Sequence, residues 1–166
     1  MSNVITPGWA HAGGHLNVGR IGPVTLNESS VEDRLAILDV INRYGWAYDE
    51  RQMEALGDAF TEDAVWLGSV RGEFPIDPVA TRQGIVDWLR GHMDSQSDQR
   101  RHNILNVVVT EQSDSSARVL TYLLLTSVGE EGVGVVTTGV YDIALRKSEQ
   151  QGWQIERFFG GFDAPF

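Results

Sequence analysis

The sequence predicts an α+β fold, on three observations. Apolar residues recur at three- and four-residue steps from Val31 to Tyr48 and again from Ile85 to Met93, which marks two amphipathic helices. From residue 102 onward the pattern changes to strands parted by turn-like segments at 114–115, 129–132 and 147–151. Helices and strands are therefore grouped in blocks, which fits an antiparallel sheet with helices on one side better than a parallel sheet with crossovers. At 166 residues the chain suits one domain, over 29–166, preceded by an arm over 1–28.

The elements follow in order. The first 28 residues hold five glycines and two prolines without sustained periodicity, so they read as an extended arm. Within it, His11 and His15 are separated by Ala-Gly-Gly; that spacing ligates a metal only on an ordered helix, which two glycines disfavour, so no metal site is expected. Ser29 and Ser30 offer an N-cap, with Glu32 and Asp33 in the first turn where the helix dipole favours acids. Val31, Leu35, Leu38, Ile41 and Gly45 form the expected buried stripe, widened by Ile37, Val40, Tyr44 and Tyr48. A second, short helix is expected over 52–60, a strand over 64–69, and a loop over 71–79 because it carries Gly72, Pro75 and Pro78. Thr81 is placed to cap a third helix, whose stripe is Ile85, Trp88, Leu89 and Met93. Strands are expected over 102–110, 117–128, 133–146 and 152–159.

Strand alternation assigns faces. Trp153, Ile155, Arg157 and Phe159 would share one face of the last strand, with Gln154, Glu156 and Phe158 on the other. Arg157 would then sit on the more apolar face, either as an internal structural ion pair or as a charge in a cavity. In the strand 117–128 both faces are apolar: Val119, Leu123 and Leu125 on one, Leu120, Tyr122 and Leu124 on the other. A half-solvated antiparallel sheet alternates more cleanly, so a second subunit is expected to cover the outer face, giving a homodimer or higher homo-oligomer.

Composition narrows the function. An apolar fraction of 42% and a charged fraction of 22% describe an ordinary globule. A formal net charge of -10, with no basic run, argues against nucleic acid or an anionic membrane surface as partner. The chain has no cysteine, which rules out disulfides, thiolate catalysis and cysteine-held metals and suits a cytoplasmic protein. No apolar run approaches a membrane span, and the N-terminus lacks the pattern of a secretory signal. Asn27-Glu28-Ser29 matches a glycosylation acceptor, read as accidental in a chain without such a signal.

The richest chemistry lies in Tyr44-Gly45-Trp46-Ala47-Tyr48-Asp49 and, some fifty residues on, Arg101-His102. Together they supply two phenols, a carboxylate and an imidazole in a chain with four histidines. Such groups move protons at neutral pH. The same residues equally describe a helix-end Asp in solvent and a His at the start of a strand. His92, near the end of the third helix, reads as a surface residue favoured by the dipole there. Trp46, Trp66, Trp88 and Trp153 read as core or pocket wall, and Asn106 as a hydrogen-bonding strand or pocket residue.

Several local patterns are shared with one superfamily. Tyr48-Asp49 closes the first helix, and Phe60-Thr61-Glu62-Asp63-Ala64 matches its Phe-Thr-x-Asp-Ala turn. Gly84-Ile85 opens the third helix, Arg101-His102 and Asn106 lie on the next strand, and Gly139-Val140-Tyr141 and Gly152-Trp153 with Arg157 complete the series. Over roughly residues 30–160 the chain resembles the SnoaL-like branch of the nuclear transport factor 2-like superfamily. That resemblance implies a cone-shaped, curved, mostly antiparallel sheet around a pocket, closed by about three N-terminal helices. Members include isomerases, polyketide cyclases, epoxide hydrolases, dehydratases, dehydrochlorinases and non-catalytic subunits, so the fold alone does not name a reaction.

The residues are most similar to the dehydratase and dehydrochlorinase members: scytalone dehydratase, bile acid 7α-dehydratase and hexachlorocyclohexane dehydrochlorinase. The resemblance implies a catalytic set of Asp49, His102, Tyr44 and Tyr48, with Arg157, Asn106, Trp66, Trp88 and Phe159 around the substrate and neither metal nor organic cofactor. Two features depart from it. The second pocket His or acid of the dehydratases is absent from Leu120–Leu125, where the chain reads Leu-Thr-Tyr-Leu-Leu-Leu, and the Arg-Asp-Asp set of the epoxide hydrolases is missing. The expected function is a dehydratase-type lyase acting on a small apolar or aromatic carbonyl compound, polyketide-, steroid- or terpenoid-like. The alternatives are a cyclase or isomerase using the same dyad, and a non-catalytic binding or assembly domain.

Overall fold

The computed structural model describes residues 16–19 and 28–166. Most of the expected arm, His11, His15 and the Asn27 acceptor lie outside the described residues. Those described form three helices and six strands, in the order α1 (Glu28–Asp49), α2 (Met53–Asp58), β1 (Phe60–Val70), β2 (Phe74–Ala80), α3 (Arg82–Asp94), β3 (Gln99–Gln112), β4 (Ser116–Gly129), β5 (Gly132–Ser148) and β6 (Gly152–Phe162). The strands make one curved sheet in the order β2-β1-β6-β5-β4-β3, antiparallel throughout except where β1 runs parallel to β6.

The helices cover the inner face: α1 lies against β3 and β6, and α3 against β1. Ile37, Ile41, Tyr44 and Tyr48 form the buried stripe of α1, at the three- and four-residue spacing of one helix face. They meet Val119, Leu123, Leu125, Tyr141, Ile143, Ile155 and Phe158 from the sheet. Thr81 caps α3, its Oγ1 accepting from the Gly84 N–H at 3.2 Å.

Several expectations are corrected. The region expected as a loop over 71–79 contains β2, an edge strand; its prolines fit because an edge strand has one row of N–H groups with no partner to serve. β1 begins at Phe60 rather than 64, with an irregularity between Phe60 and Val65. Helix α1 begins at Glu28, so Ser29 and Ser30 lie within its first turn rather than ahead of it. Its stripe is also displaced: Val31 and Leu35 are exposed, as is Trp46 at 69%, so Trp46 is neither core nor pocket wall.

The largest correction concerns β6. On β5, Ala144 and Leu145 are adjacent; their partners on β6 are Arg157 and Ile155, which leaves Glu156 as an extra residue. A bulge of this kind inverts the alternation beyond it. Trp153 and Ile155 face the core, but after the bulge it is Phe158, not Arg157, that does so, and Arg157 is exposed. A second bulge lies in β3, where Leu105 and Val108 pair with Tyr122 and Leu120, and Asn106 takes a left-handed φ of 53°. Asn tolerates that conformation better than most residues, and here its side chain is exposed.

Among the described residues, part of the outer face of the sheet over β3–β5 is apolar and exposed. Leu105, Tyr122 and Val135 are exposed on it, along with Val128 and Val133 toward the β4–β5 turn.

Candidate active site

The site begins with a close helix–strand approach. Gly45 of α1 faces β3, where an added Cβ would lie 3.2 Å from Ile104 Cδ1 and 3.4 Å from His102 Cβ. Lacking a side chain, Gly45 lets the helix rest on the strand and brings Asp49, one turn later, to His102. The Asp49 carboxylate then holds His102 twice. Oδ2 accepts the backbone N–H at 2.7 Å, and Oδ1 lies 2.6 Å from Nδ1. Both side chains are almost buried, at 7% exposed for Asp49 and 8% for His102. With the carboxylate ionised, the imidazole proton sits on Nδ1 and Nε2 is the nitrogen able to accept another.

His102 lines a cavity with Tyr44, Tyr48, Trp66, Trp88, Tyr141 and Phe162. The space open to the centre of a water molecule is about 40 Å³, enough for a few waters at most. Leu89, Leu125, His92, Gln96, Arg100 and Phe166 complete its wall and mouth. The rings interlock: Tyr44 is tilted against Phe158 at 4.7 Å, Tyr48 is edge-on to His102 at 4.6 Å, and Trp66 stacks on Phe158 at 5.9 Å. Trp88 adjoins both Trp66, at 4.5 Å, and His92, at 4.6 Å.

Burial sets the protonation of the phenols. It raises the pKa of Tyr44 above the usual tyrosine value, with the neighbouring Tyr48 adding to the effect. Burial likewise raises Tyr141 well above that value, helped by Tyr44 and Tyr48. Tyr48 is also raised by burial, while the hydrogen bond from Gln96 Nε2 to its hydroxyl, at 3.1 Å, pulls the other way. All three therefore stay protonated at neutral pH and can donate.

Asp49, His102, Tyr44, Tyr48, Trp66 and Trp88 thus meet at one cavity. Arg157 and Asn106 are exposed and lie outside it, for the reasons given by the two bulges. Phe159 is buried but flanks Asp142 in register on the side of β6 opposite Phe158, so it does not line the cavity. Arg100 brings a cation to the cavity, its guanidinium paired with Asp98 at 2.6 Å. Sequence reasoning missed it because β3 was started at His102; two residues earlier on the same strand, alternation puts Arg100 on the His102 face. Tyr141 was also missed as a site residue, although it sits in the Gly139-Val140-Tyr141 segment that sequence reading had singled out. Among the described residues, no group of three or more His, Asp or Glu side chains is arranged to hold a metal, and no helix is long and apolar enough to cross a membrane.

Solved structures share this architecture. A provisionally assigned aromatic ring hydroxylase from Novosphingobium aromaticivorans is 31% identical, with 81% of this chain and 92% of that one covered and a TM-score of 0.67. The beta subunit of a provisionally assigned aromatic-ring-hydroxylating dioxygenase from the same organism is 16% identical, covering 84% and 94% with a TM-score of 0.71. ActVI-ORFA from Streptomyces coelicolor is 18% identical, covering 78% and 97% with a TM-score of 0.67. The latter two share the fold alone. No curated protein matches the chain in sequence. The SnoaL-like domain matches residues 29–158, nearly the whole described region, and the chain belongs to that family, within the nuclear transport factor 2-like superfamily.

Proposed function

We propose that this protein is a cofactor-independent lyase of dehydratase type, acting on an apolar or aromatic carbonyl compound, polyketide-, steroid- or terpenoid-like. The observation that carries this reading is the double grip of Asp49 on His102 at the wall of an aromatic cavity. Nε2 of His102 removes the proton alpha to the carbonyl, and that C–H electron pair moves toward the carbonyl oxygen. As the pair returns to form the carbon–carbon double bond, the bond to the beta hydroxyl breaks, and the imidazolium gives its proton to the leaving oxygen as water. Asp49 fixes the tautomer and stabilises the imidazolium between the two transfers. Positioned proton transfer of this type contributes about 10²–10⁴-fold.

The experiment is proton exchange at the alpha carbon of beta-hydroxy ketones in heavy water, followed by NMR. Exchange and loss of water are expected with the native protein, and His102→Ala should lose both by at least about 10²-fold while keeping its fold. An unchanged rate in His102→Ala would refute the mechanism. Exchange with a cyclised or isomerised product, and no water lost, would favour the cyclase or isomerase reading, which shares the first step. The fold shared with a dioxygenase beta subunit supports a second reading, a non-catalytic binding or assembly domain. That reading predicts ligand binding with no exchange at all.

The exposed apolar residues on the outer face over β3–β5 support a homo-oligomer. Light scattering at micromolar concentration tests the assembly, and a monomer only would refute it.

A further inference from the structure

The space beside His102 is too small for a substrate, and its continuation is polar. About 40 Å³ lies within the aromatic rings, whereas a cleft of about 210 Å³ adjoins it at the mouth. The two share His92, Gln96, Arg100 and Phe166, so a molecule reaching His102 past Phe166 leaves its trailing end in that cleft. Arg100 and Gln96 also line the cleft beside Tyr48, so all three spaces meet at these two residues.

Arg100 reaches the mouth from the strand that carries His102. Two residues apart on β3, the two side chains leave one face about 7 Å from each other. The Arg100 side chain is only 15% exposed, and its Nε donates to Asp98 Oδ2 at 2.6 Å. Among the described residues, Asp98 is its one acceptor, which leaves both Nη groups without one. A guanidinium can hold a carboxylate on either of two edges, so the Nη end keeps a parallel pair of donors for a second anion. The rim around it is fixed. Gln96 Nε2 donates to the Tyr48 hydroxyl at 3.1 Å, and the Gln96 carbonyl accepts from Arg51 Nη2 at 3.3 Å. Arg51 thereby adds a second cation beyond Gln96, and both guanidiniums act on the Tyr48 hydroxyl. Asp98 offsets one of these charges, and the other carboxylate of the walls, Asp49, is turned to His102. In a chain of net charge -10 an acid is repelled at long range, so only a local fork of donors would make it bind better than a neutral molecule.

We propose that Arg100 anchors the substrate, which is a carboxylic acid: its apolar, carbonyl-bearing body enters the aromatic cavity and its carboxylate stays at the mouth on the two Nη groups. The inference deepens the proposed reaction by naming the substrate class, and rests on it for the chemistry at His102. The strand spacing puts the carboxylate several bonds from the carbon that loses its proton. Arg100 holds the substrate and takes no part in the proton transfers.

The test uses the intact protein at low ionic strength and 5-(4-fluorophenyl)-5-oxopentanoic acid, with its primary amide as the neutral isostere, both read by fluorine NMR. The native protein should bind the acid more tightly than the amide by about 5- to 50-fold. That is below the full range for a charged hydrogen bond, because the cleft is open to water. Arg100→Gln should bring the acid down to the amide and leave the amide unchanged. Arg100→Lys should keep part of the preference, since an ammonium restores the charge but not the fork. His102→Ala should keep the whole preference, because it leaves the anchor in place. If the native protein prefers the acid yet exchanges no alpha proton, the base assignment is wrong and the anchor stands. Acid and amide bound alike by the native protein, or neither bound, would overturn the proposal. So would an equal loss of both in Arg100→Gln, which would mean that Arg100 only holds Asp98 and the rim in place. A preference that survives Arg100→Gln and disappears in Arg51→Gln would overturn it as well.

Discussion

Two buried carboxylates in this fold hold a basic partner on a neighbouring element, and they do opposite things. Asp49, 7% exposed, grips His102 on the inner face; Asp142, 5% exposed, takes both Nε and Nη2 of Arg118, at 2.9 and 2.7 Å, on the outer face. The distances are similar. What differs is the partner. Arg118 is 47% exposed, and its hydrogen bond with Asp142 raises an already high pKa, so it stays charged at every working pH and cannot release a proton. His102 is enclosed by rings, and an imidazole can both take up and release a proton, so a carboxylate placed as Asp142 is for Arg118 can there steer a proton. A buried ion pair is a structural device or a chemical one according to whether the cation can let go.

Asp49→Asn should have the largest effect. The amide oxygen can still accept the His102 backbone N–H, so the local fold survives. Its NH₂ group then faces Nδ1 and forces the proton onto Nε2, the nitrogen proposed as the base. Exchange at the alpha carbon should fall by roughly 10³–10⁴-fold with little change in melting temperature. A loss below about tenfold would show that Asp49 serves His102 only as Asp142 serves Arg118, as an anchor.

Arg118→Met should do the reverse. It leaves the Asp142 carboxylate without its cation beside Leu120 and Phe159 in register, at a cost of about 2 kcal/mol, below the usual figure for a fully buried pair because Arg118 is half in solvent. For a domain of this size that lowers the melting temperature by about 4–8 °C. The exchange rate per folded molecule should not move. A fall in the rate as large as that of Asp49→Asn would mean that the outer face is coupled to the cavity.

How much of this was legible in the sequence depends on the kind of signal. Thr81 and the Ile85–Met93 stripe gave α3 because cap and periodicity are local. The same periodicity misassigned Val31 and Leu35, since spacing says which face is apolar but not how far along the helix the sheet extends. Two prolines hid β2, because only the strand order reveals that it is an edge. Arg157 was lost to a single extra residue, Glu156, whose bulge reverses every face beyond it. Asp49 and His102 are brought together by Gly45, and that contact is between elements, out of reach of spacing; the family likeness suggested the pair where periodicity could not. Trp66 was legible as a wall, but its approach to the Tyr44 hydroxyl is a property of three-dimensional packing alone.

Alkali should set the two pairs further apart. The pKa of Tyr44, Tyr48 and Tyr141 is raised above 10.0 in the folded chain, chiefly by burial. The unfolded chain therefore gives up these protons first, so their contribution to stability is whole below about pH 10 and is lost as pH rises toward the folded values. Each phenol contributes a slope of about 1.4 kcal/mol per pH unit in that window. Melting followed from neutral pH into alkali should show a steep loss, made shallower in Tyr44→Phe and in Tyr141→Phe. Arg118→Met should lower the whole curve without changing its slope, because Arg118 does not titrate there. A slope equal in all four proteins would mean that the phenols are not shielded from water.

The smallest effect is expected at the mouth. The Arg118–Asp142 pair is open to solvent on its arginine side, whereas His102 is shut in, and Phe166 is part of the closure. Phe166 is 50% exposed, rests on Phe162 at 4.2 Å between ring centres, and lines the cavity. The chain leading to it is tied to β5, where Thr137 Oγ1 donates to the Ala164 carbonyl at 3.1 Å and accepts the Ala164 N–H at 3.2 Å. A ligand pocket usually needs about 300–1,000 Å³, far more than the roughly 40 Å³ present, so a substrate must displace part of this wall. Phe166 is the cheapest part to move, since half of its surface is already in water and its anchor at Ala164 lies two residues back. Phe166→Ala should speed association of a beta-hydroxy ketone by about two- to fivefold, with a change in stability of less than about 1 kcal/mol. The association rate, followed by stopped-flow fluorescence of the cavity tryptophans, decides it: an unchanged rate would mean that substrate enters beside Arg100 and Gln96 instead, through the polar cleft next to Tyr48.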